Sequence, residues 1–225
     1  MPAEHAVPLP AQASFEVGAS LGVPGLTAHR CVSVLEPLQG KRVLVYGAAG
    51  AIGHLLVQLA KARGAHVTGV VSSPAKVAVA IEFGVDAALN YTEPSFADNR
   101  AALAGASAFD AIVDVDFGAN SGSYTNVLAR HGAVVVVGSA TNMRPSIDVL
   151  PLQKHGVSMH FISGAEQPTA TRTLAIEEIN DRLASGRLRS RVQASFPLTE
   201  IVAAHEVVEA GGLTGKVVVN IEHAQ

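Results

Sequence analysis

The sequence predicts an α/β fold built around a doubly wound, parallel, six-stranded sheet. Short β-branched runs alternate with helix-like segments from residue 41 onward, residues 134–137 are four consecutive valines, and a glycine-rich turn follows the first strand. Alternating strands and helices form parallel sheets with crossover helices. An uninterrupted apolar run is typical of a central strand that is buried on both faces.

The predicted strands and helices follow one another in order. The first strand covers residues 42–46, and the helix after it repeats apolar residues at Ile52, Leu55, Leu56 and Leu59. Further strands are predicted at 66–71, 86–90, 110–115, 133–138 and 157–162. Further helices are predicted near 75–83, 95–104 and 121–130.

The two ends of the chain fit this scheme less well. Residues 1–40 are punctuated by Pro and Gly and contain two short helical patterns. Beyond residue 168 the sequence predicts a helix, a strand at 192–196, a helix at 199–209 and a strand at 216–221. These last two strands lie outside the six-strand set, so they require partners that the rest of the chain does not obviously supply.

Composition and charge argue against several classes of protein. Apolar residues make up 48% of the 225 residues and charged residues only 16%, so we expect a folded chain with a substantial core. The net charge of -3 and the lack of a Lys/Arg cluster argue against nucleic-acid binding. The sequence contains no signal-like start and no apolar run of membrane-spanning length, so we expect a cytoplasmic protein without membrane contact. Cys31, the single cysteine, excludes an internal disulfide and is expected to be a buried core residue.

The glycine-rich turn, VYGAAGAIG at 45–53, matches the dinucleotide-binding fingerprint imperfectly. Ala48, Gly50 and Gly53 occupy its three glycine places, so the first is alanine, and a plain strand-to-helix turn is the alternative. The strand before it, the amphipathic helix after it and the further strand–helix units favour a phosphate site. The free N–H groups of a helix N-terminus suit a diphosphate.

The end of the second strand indicates which cofactor this turn would hold. NAD-binding proteins place an acidic residue there to bind the adenosine ribose, whereas this chain has Ser72, Ser73 and Lys76. A cation about 4 Å from one phosphate charge contributes on the order of 4 kcal/mol at an effective dielectric of about 20, before desolvation. We therefore expect NADPH. The alternative is that the serines only cap the helix near Pro74 and that Lys76 is a solvated surface charge.

Several segments together resemble the medium-chain dehydrogenase/reductase superfamily, in particular its zinc-independent quinone oxidoreductase group. They are LGVPGLTA at 21–28, AAGAIG at 48–53, QLAK at 58–61, FGVD at 83–86 with NY at 90–91, FD at 109–110 with Asp114, and GKVV at 215–218. The resemblance covers nearly the entire chain. It implies hydride transfer from NADPH to a quinone or another α,β-unsaturated carbonyl.

The resemblance also implies which residues contact the cofactor. They are Thr27 by the nicotinamide, Ala49, Gly50, Ala51, Ile52 and Gly53 at the pyrophosphate, Ser73, Lys76 and Tyr91 around the adenosine 2′-phosphate, and Gly138, Ser139, Phe161, Ile162 and Ser163 on the nicotinamide side. The alternatives are that Thr27 is an ordinary helix residue and Tyr91 a half-buried aromatic. Asp116 departs from the family, which usually has a small or apolar residue there. A carboxylate at this place would weaken anion binding unless it points to solvent.

Family members carry an N-terminal barrel-like domain that forms half of the substrate cleft and is absent here. We therefore expect a remnant of it with connecting helices at 1–40, the dinucleotide-binding core at 41–165, and the last helix with the return to the incomplete domain at 166–225. The chain is then a truncated product or one half of a split enzyme, and the sequence does not distinguish these. An apolar sheet edge at 157–162 is expected to pair across a homodimer, as it does in the family.

No catalytic side chain is predicted, because in such enzymes the cofactor carries the chemistry. Tyr46, Tyr91 and Tyr124 are not followed by Lys four residues later, which argues against the short-chain reductase mechanism. The nine histidines lack metal-ligand spacing, so no metal site is expected. Two alternatives stay open: an NADP(H)-binding dimeric module with little or no turnover, and a relative of the zinc-type alcohol dehydrogenases.

Overall fold

A six-stranded parallel sheet forms the centre of the protein. The computed structural model describes residues 6–106 and 108–221. The strands are β1 (Arg42–Tyr46), β2 (His66–Val71), β3 (Ala87–Asn90), β4 (Phe109–Asp114), β5 (Leu128–Val136) and β6 (Ser158–Phe161). They lie in the order β3-β2-β1-β4-β5-β6, and every neighbouring pair is parallel. The predicted doubly wound sheet is confirmed, with its switch point between β1 and β4.

Eight α-helices accompany these strands within the described residues. They are α1 (Phe15–Val34), α2 (Gly53–Ala62), α3 (Pro74–Glu82), α4 (Phe96–Ala106), α5 (Phe117–Asn120), α6 (Val149–His155), α7 (Thr169–Ala184) and α8 (Ile201–Glu209). The short helix α6 escaped prediction because none of its residues is buried, so it carries no apolar period to recognise.

Two predictions about helices are wrong. The two short patterns in 1–40 form one helix of 20 residues, which continues through Pro24 because the residues on both sides of it are buried against the core. The helix predicted at 121–130 is a 3-10 segment, Ser121–Asn126, and β5 already begins at Leu128. Tyr124 anchors that segment, because its buried hydroxyl donates to Asp114 Oδ2 at 2.6 Å and fixes the chain before the strand.

Two apolar clusters cover the two faces of the sheet. Val43, Val45 and Val135 belong to one cluster, and Leu44 and Val134 belong to the other. This division follows from the two-residue period of side chains along a strand. The four-valine run therefore contributes to both faces, as predicted. Cys31 is fully buried in the first cluster, and burial raises the pKa of its thiol.

The strands near the C-terminus form a separate two-stranded sheet. β7 (Val192–Pro197) and β8 (Lys216–Asn220) pair with each other in parallel, with α8 as the crossover. The expectation that they need partners elsewhere is wrong, since each is the partner of the other. This sheet packs on α1, where Asn220 Nδ2 donates to Glu16 Oε1 at 3.2 Å.

An ion cluster around Glu178 fastens α7 to the rest of the protein. Arg63 donates to both carboxylate oxygens at 3.1 and 2.6 Å, Arg182 Nε donates at 2.7 Å, and His29 Nε2 lies 3.0 Å away. Burial alone would raise the pKa of Glu178, but the hydrogen bonds from Arg63 and Arg182 lower it to about 2. The cluster thereby joins α7 to α1 and to the end of α2.

We expect Glu178→Gln to destabilise the protein by on the order of 3 kcal/mol near neutral pH. Because the folded pKa is lowered, the contribution of Glu178 is present above its ordinary value of 4.5 and is lost as the pH falls towards about 2. Urea unfolding of both proteins across this pH range should show the difference shrinking. Glu177→Gln, at an exposed position next to it, should have little effect. A difference that stays constant with pH would contradict the assignment.

Candidate functional site

A cleft of about 580 Å³ opens at the carboxyl ends of the central strands. In doubly wound sheets, ligands bind at this edge near the point where the strand order reverses, here between β1 and β4. The cleft is lined by Tyr46, Gly47, Ala49, Gly50, Val71, Ser72, Lys76, Tyr91, Phe96, Val115, Asp116, Ala119, Asn120 and Thr141. Five of the predicted residues therefore meet in one cleft: Ala49, Gly50, Ser72, Lys76 and Tyr91.

The glycine-rich turn differs from its predicted assignment in one respect. Gly47, and not residue 48, makes the tight turn, because its φ is +71° and its amide donates to Val70 O at 2.9 Å. Ala48 is fully buried, and a Cβ on Gly69 of β2 would lie only 2.7 Å from the Ala48 Cβ. The alanine in the first glycine place is thus accommodated by a glycine opposite it. No sequence motif pairs these two positions.

Gly53 is the point of closest approach between turn and helix. A Cβ there would overlap the Gly47 carbonyl oxygen and lie 2.7 Å from the Ala48 Cα. Both atoms belong to the backbone and cannot rotate away. Gly53 begins α2, and Ala51 and Ile52 form the turn before it without lining the cleft.

The turn after β2 and the first turn of α3 place a cation beside a hydroxyl group. Lys76 Nζ donates to Ser72 Oγ at 3.0 Å, and both residues line the cleft. Within the described part of the chain, Lys76 forms no ion pair with a carboxylate. Ser73 instead caps α3, because its Oγ accepts from Lys76 N at 3.3 Å. The capping alternative therefore describes Ser73 and not Ser72.

Aromatic side chains form the wall next to this cation. Tyr91 is 55% exposed and packs edge-on against Phe96, with 6.5 Å between the ring centroids. Arg100 lies over the ring of Phe96, with its Cζ 5.2 Å from the ring centroid, and donates to the Tyr46 hydroxyl at 2.7 Å. Tyr91 is more exposed than the half-buried aromatic of the alternative interpretation. Phe96 was missed by sequence reasoning, although it follows a predicted strand end by a few residues.

Two carboxylates lie at the end of β4 and just after it. Asp114 is fully buried and accepts hydrogen bonds from Tyr124, from Asp116 N and from Asn120 Nδ2. Burial raises the pKa of Asp114, and this effect outweighs the lowering of the pKa by these three hydrogen bonds. Asp116 lines the cleft and accepts from the amide of Thr141 at 3.1 Å and from its hydroxyl. Its carboxylate is thus tied to the loop after β5 and does not extend freely into solvent.

The remaining predicted residues lie outside this cleft. Ser139 Oγ accepts from Gly118 N at 2.9 Å, next to Gly138, where a Cβ would lie 2.6 Å from the Val115 carbonyl oxygen. Phe161 is 67% exposed and packs edge-on against Phe117. Ile162 is half-buried and Ser163 is exposed just after β6. Thr27 is buried against Gly164, and its hydroxyl donates to Val23 O at 2.7 Å.

Neither a metal-ligand cluster nor a membrane span is present in the described part of the chain. Within residues 6–106 and 108–221, no group of three or more His, Cys, Asp or Glu side chains is arranged to hold a metal ion. Among the helices in the same ranges, none combines the length and apolar character needed to cross a membrane.

Comparison with known proteins gives consistent matches over nearly the whole chain. Residues 51–181 match the family described as zinc-binding dehydrogenase. The chain is 26% identical to the quinone oxidoreductase of Pongo abelii and 25% identical to that of Homo sapiens, each over 221 residues and 96% of this chain. It spans 66% of the length of each of these relatives.

Two solved structures share the fold. The quinone oxidoreductase of Thermus thermophilus, solved also in complex with NADPH, gives a TM-score of 0.86 at 30% identity and covers 98% of this chain and 71% of its own. The quinone oxidoreductase of Pseudomonas syringae pv. tomato gives a TM-score of 0.85 at 27% identity, with 98% and 69% covered.

We expect Gly53→Ala to destabilise the protein by about 1 to 3 kcal/mol or more, since the added Cβ meets backbone that cannot yield without displacing the turn. Gly22→Ala is the matched control. Gly22 is an exposed residue of α1 with open space around its Cα, so this change should stabilise by up to about 1 kcal/mol. Thermal unfolding of both variants measures the difference. Equal melting temperatures would contradict the close approach of turn and helix.

Proposed function

Because the chain belongs to the zinc-binding dehydrogenase family, within the medium-chain dehydrogenase/reductase superfamily, we propose that it is an oxidoreductase whose cleft binds NADPH. Hydride would pass from the nicotinamide to a quinone or another α,β-unsaturated carbonyl. The observation that carries the choice of cofactor is the Lys76–Ser72 pair at the end of β2, 3.0 Å apart and facing the cleft.

The charge at the end of β2 supports a 2′-phosphate in preference to a free ribose hydroxyl. An NAD-binding protein uses a carboxylate at this place, and a carboxylate would repel a phosphate. Lys76 is half-buried, so its attraction for a phosphate is screened less than that of a fully solvated lysine. A hydrogen bond between an ammonium and a phosphate oxygen is also stronger than one between neutral groups. Ser72 offers a second donor, and Tyr91 a third at the rim.

The turn and the aromatic wall support the rest of the dinucleotide. Ala49 and Gly50 line the cleft beside the N-terminus of α2, a ten-residue helix whose free N–H groups favour a diphosphate. Val71, Tyr91 and Phe96 offer an apolar wall that suits an adenine base. We assign the pyrophosphate to Ala49–Gly53 and the adenosine phosphate to Ser72, Ser73, Lys76 and Tyr91.

The nicotinamide would lie towards the loops after β5 and β6. We assign it to Thr27, Gly138, Ser139 and the residues from Phe161 to Ser163. NADPH supplies the hydride when bound, and these residues hold the ring and exclude water on one side. The quinone acceptor is supported by the relatives, which are longer than this chain.

A second candidate is an NADP(H)-binding module with little or no turnover. It is favoured by one observation: the cleft is lined by residues assigned to the adenosine and pyrophosphate, and not by Gly138, Ser139, Phe161 or Thr27. A chain that binds the cofactor by its adenosine half needs neither an acceptor nor a positioned nicotinamide.

We further propose a homodimer formed through β6. This strand is the edge of the sheet, and Phe161 on it is 67% exposed. An unpaired apolar edge strand is a natural site for pairing with a second copy. Ile162 N donates to Val136 O. Because backbone amides alternate in direction along a strand, those of residues 158 and 160 also point towards β5, and those of Met159 and Phe161 point away from the sheet.

We expect Lys76→Glu to raise the dissociation constant of NADPH at least about 100-fold, because it replaces an attraction with a repulsion worth together more than about 3 kcal/mol. The constant for NADH should change less than about threefold. Fluorescence titration with both cofactors measures the two constants. Lys154→Glu on α6, away from the cleft lining, makes the same charge change and should alter neither constant.

Oxidation of NADPH by a small quinone, followed by its absorbance, separates the two candidate functions. Turnover by the wild-type chain supports the reductase. Tight NADPH binding without turnover supports the binding module. Equal wild-type affinity for NADPH and NADH would contradict the role given to Lys76 and Ser72.

We expect the wild-type chain to sediment as a dimer and Met159→Pro as a monomer of about 23 kDa. Proline removes the outward amide of the edge strand without breaking a bond to β5. Met159→Ala removes the side chain but keeps the amide, and it should remain dimeric. Sedimentation velocity measures all three, and a monomeric wild-type protein at micromolar concentration would sink the proposal.

A further inference from the structure

His54 connects the glycine-rich turn with the segment that leads into β7. It is the second residue of α2, and its side chain is completely buried. Nδ1 lies 2.7 Å from the carbonyl oxygen of Gly50, and Nε2 lies 3.0 Å from the backbone nitrogen of Arg191. One imidazole thus bridges two backbone groups that lie far apart in the sequence.

These two contacts determine the state of the ring. A carbonyl oxygen only accepts a hydrogen bond, and a backbone N–H only donates one. Nδ1 must therefore carry the proton, and Nε2 must be bare. A second proton on Nε2 would face the Arg191 N–H and break that bond. The neutral Nδ1–H tautomer is the one form that satisfies both partners.

The surroundings of the ring favour this neutral form. Burial lowers the pKa of His54, the Gly50 hydrogen bond opposes this, and the nearby charge of Arg191 lowers the pKa further. Phe83, at the end of α3, packs against the ring with 4.9 Å between centroids. The other charged groups near this contact are Arg189, which lies over Phe83, and Glu82, which pairs with Arg191 at 3.5 Å.

The Gly50 carbonyl receives two hydrogen bonds from the same residue. The backbone N of His54 donates to it at 3.1 Å, in addition to Nδ1 at 2.7 Å. Both donors lie in α2, so they hold the oxygen towards the helix. Gly50 also lines the cleft. The negative end of the Gly50 peptide dipole therefore points away from the cleft, which makes the turn more favourable for binding an anion.

Gln58, one turn further along α2, also binds the backbone of the segment that leads into β7. Its Nε2 donates to Arg189 O at 2.9 Å, and its Oε1 accepts from Arg189 N at 2.9 Å. Together, His54 and Gln58 bind the backbone of residues 189 and 191. Gln58 Nε2 also donates to the His54 carbonyl oxygen at 2.8 Å, but within the described residues Gln58 forms no hydrogen bond with Gly50. The chain therefore contains a natural control for docking of this segment without the contact to the turn.

We propose that His54 is a positioning residue of the cofactor site, which as a neutral imidazole fixes the Gly50 carbonyl and with it the orientation of the glycine-rich turn. The effect on cofactor affinity rests on the proposed function, because it requires that this turn binds the diphosphate. The tautomer and the fixed turn do not depend on it.

Two substitutions separate the two halves of the contact. Asn at position 54 places an amide N–H where Nδ1 lies, so it keeps the bond to Gly50 but does not reach Arg191. Gln places its amide oxygen near the position of Nε2, so it keeps the bond to Arg191 and loses Gly50. We expect His54→Gln and His54→Leu to weaken NADPH binding about tenfold. We expect His54→Asn and Gln58→Leu to leave it within about threefold.

Three measurements on the full chain test the proposal. Titration with NADPH compares the four variants, amide hydrogen exchange follows residues 50–53 and 191, and imidazole ¹⁵N spectra report the tautomer of His54. Amide exchange at residues 50–53 should be faster in His54→Gln than in the wild type and unchanged in His54→Asn. Amide exchange at Arg191 should be faster in His54→Asn and unchanged in His54→Gln. A proton on Nε2 in the wild-type protein, or equal effects of Asn and Gln at position 54, would overturn the proposal.

If the wild-type chain does not bind NADPH, the proposed function fails. Exchange and the ¹⁵N spectra then still decide whether His54 fixes the turn. If the chain binds NADPH and His54→Gln binds it as tightly as the wild type, the positioning role fails while the proposed function stands. His54→Asn and His54→Gln retain polar side chains of suitable length, so the test survives if His54→Leu does not fold.

Discussion

The close approach of the glycine-rich turn to its neighbours is the constraint on which the rest of the site depends. Gly47 turns the chain with a positive φ, Gly69 leaves room for Ala48, and Gly53 lets α2 begin against the Gly47 carbonyl. If any of these distances increased, α2 would move outward and the cleft would lose the wall formed by the turn. The amides of Gly47 and Ala48 also donate to the Val70 carbonyl, which holds the turn beside the end of β2, and Lys76 in the first turn of α3 lines the same cleft. Local backbone geometry thus decides which distant side chains meet.

The charges around the cleft are unevenly distributed. The end of β2 and the start of α3 contribute Lys76 beside Ser72, whereas the end of β4 contributes Asp114 and Asp116. Asp114 is fully buried and its two oxygens are occupied by three donors, so it supports the turn after β4 and does not act on a ligand directly. Asp116 is occupied by Thr141 but still lines the cleft. The two ends of the cleft therefore differ in charge. An anionic group of a ligand is attracted to the end with Lys76 and disfavoured at the end with Asp116.

Sequence patterns predicted the sheet well and the contacts between distant segments poorly. Strands β1 and β2 have their predicted bounds, because the strand preference of a β-branched run is visible in the local sequence. The helix predicted at 121–130 is wrong because Tyr124 bonds to Asp114, a contact that no local period contains.

Ala48 was assigned to the first glycine place because a motif counts residues, whereas the tight turn needs the positive φ of Gly47. His54 and Thr141 were not singled out, since their roles depend on backbone groups that other segments supply. The sequence could not separate Ser72 and Ser73, which differ in their contacts: Ser73 caps α3 by accepting from the Lys76 amide, whereas Ser72 accepts from the Lys76 ammonium.

Apolar and polar contacts together attach the segment after α7 to the core: Leu188 is buried in the first apolar cluster, and residues 189 and 191 form hydrogen bonds to α2. A hydrogen bond requires a short donor–acceptor distance and a favourable angle, so a pair of such bonds fixes the register between two segments. Gln58 and His54 therefore fix residues 189 and 191 in one register along α2. Glu178 fixes α7, the helix just before this segment, through Arg63 at the other end of α2. Both ends of α2 thus hold the C-terminal part of the chain. Since α2 also begins at the glycine-rich turn, the placement of β7 and β8 and the shape of the cleft are determined by the same helix.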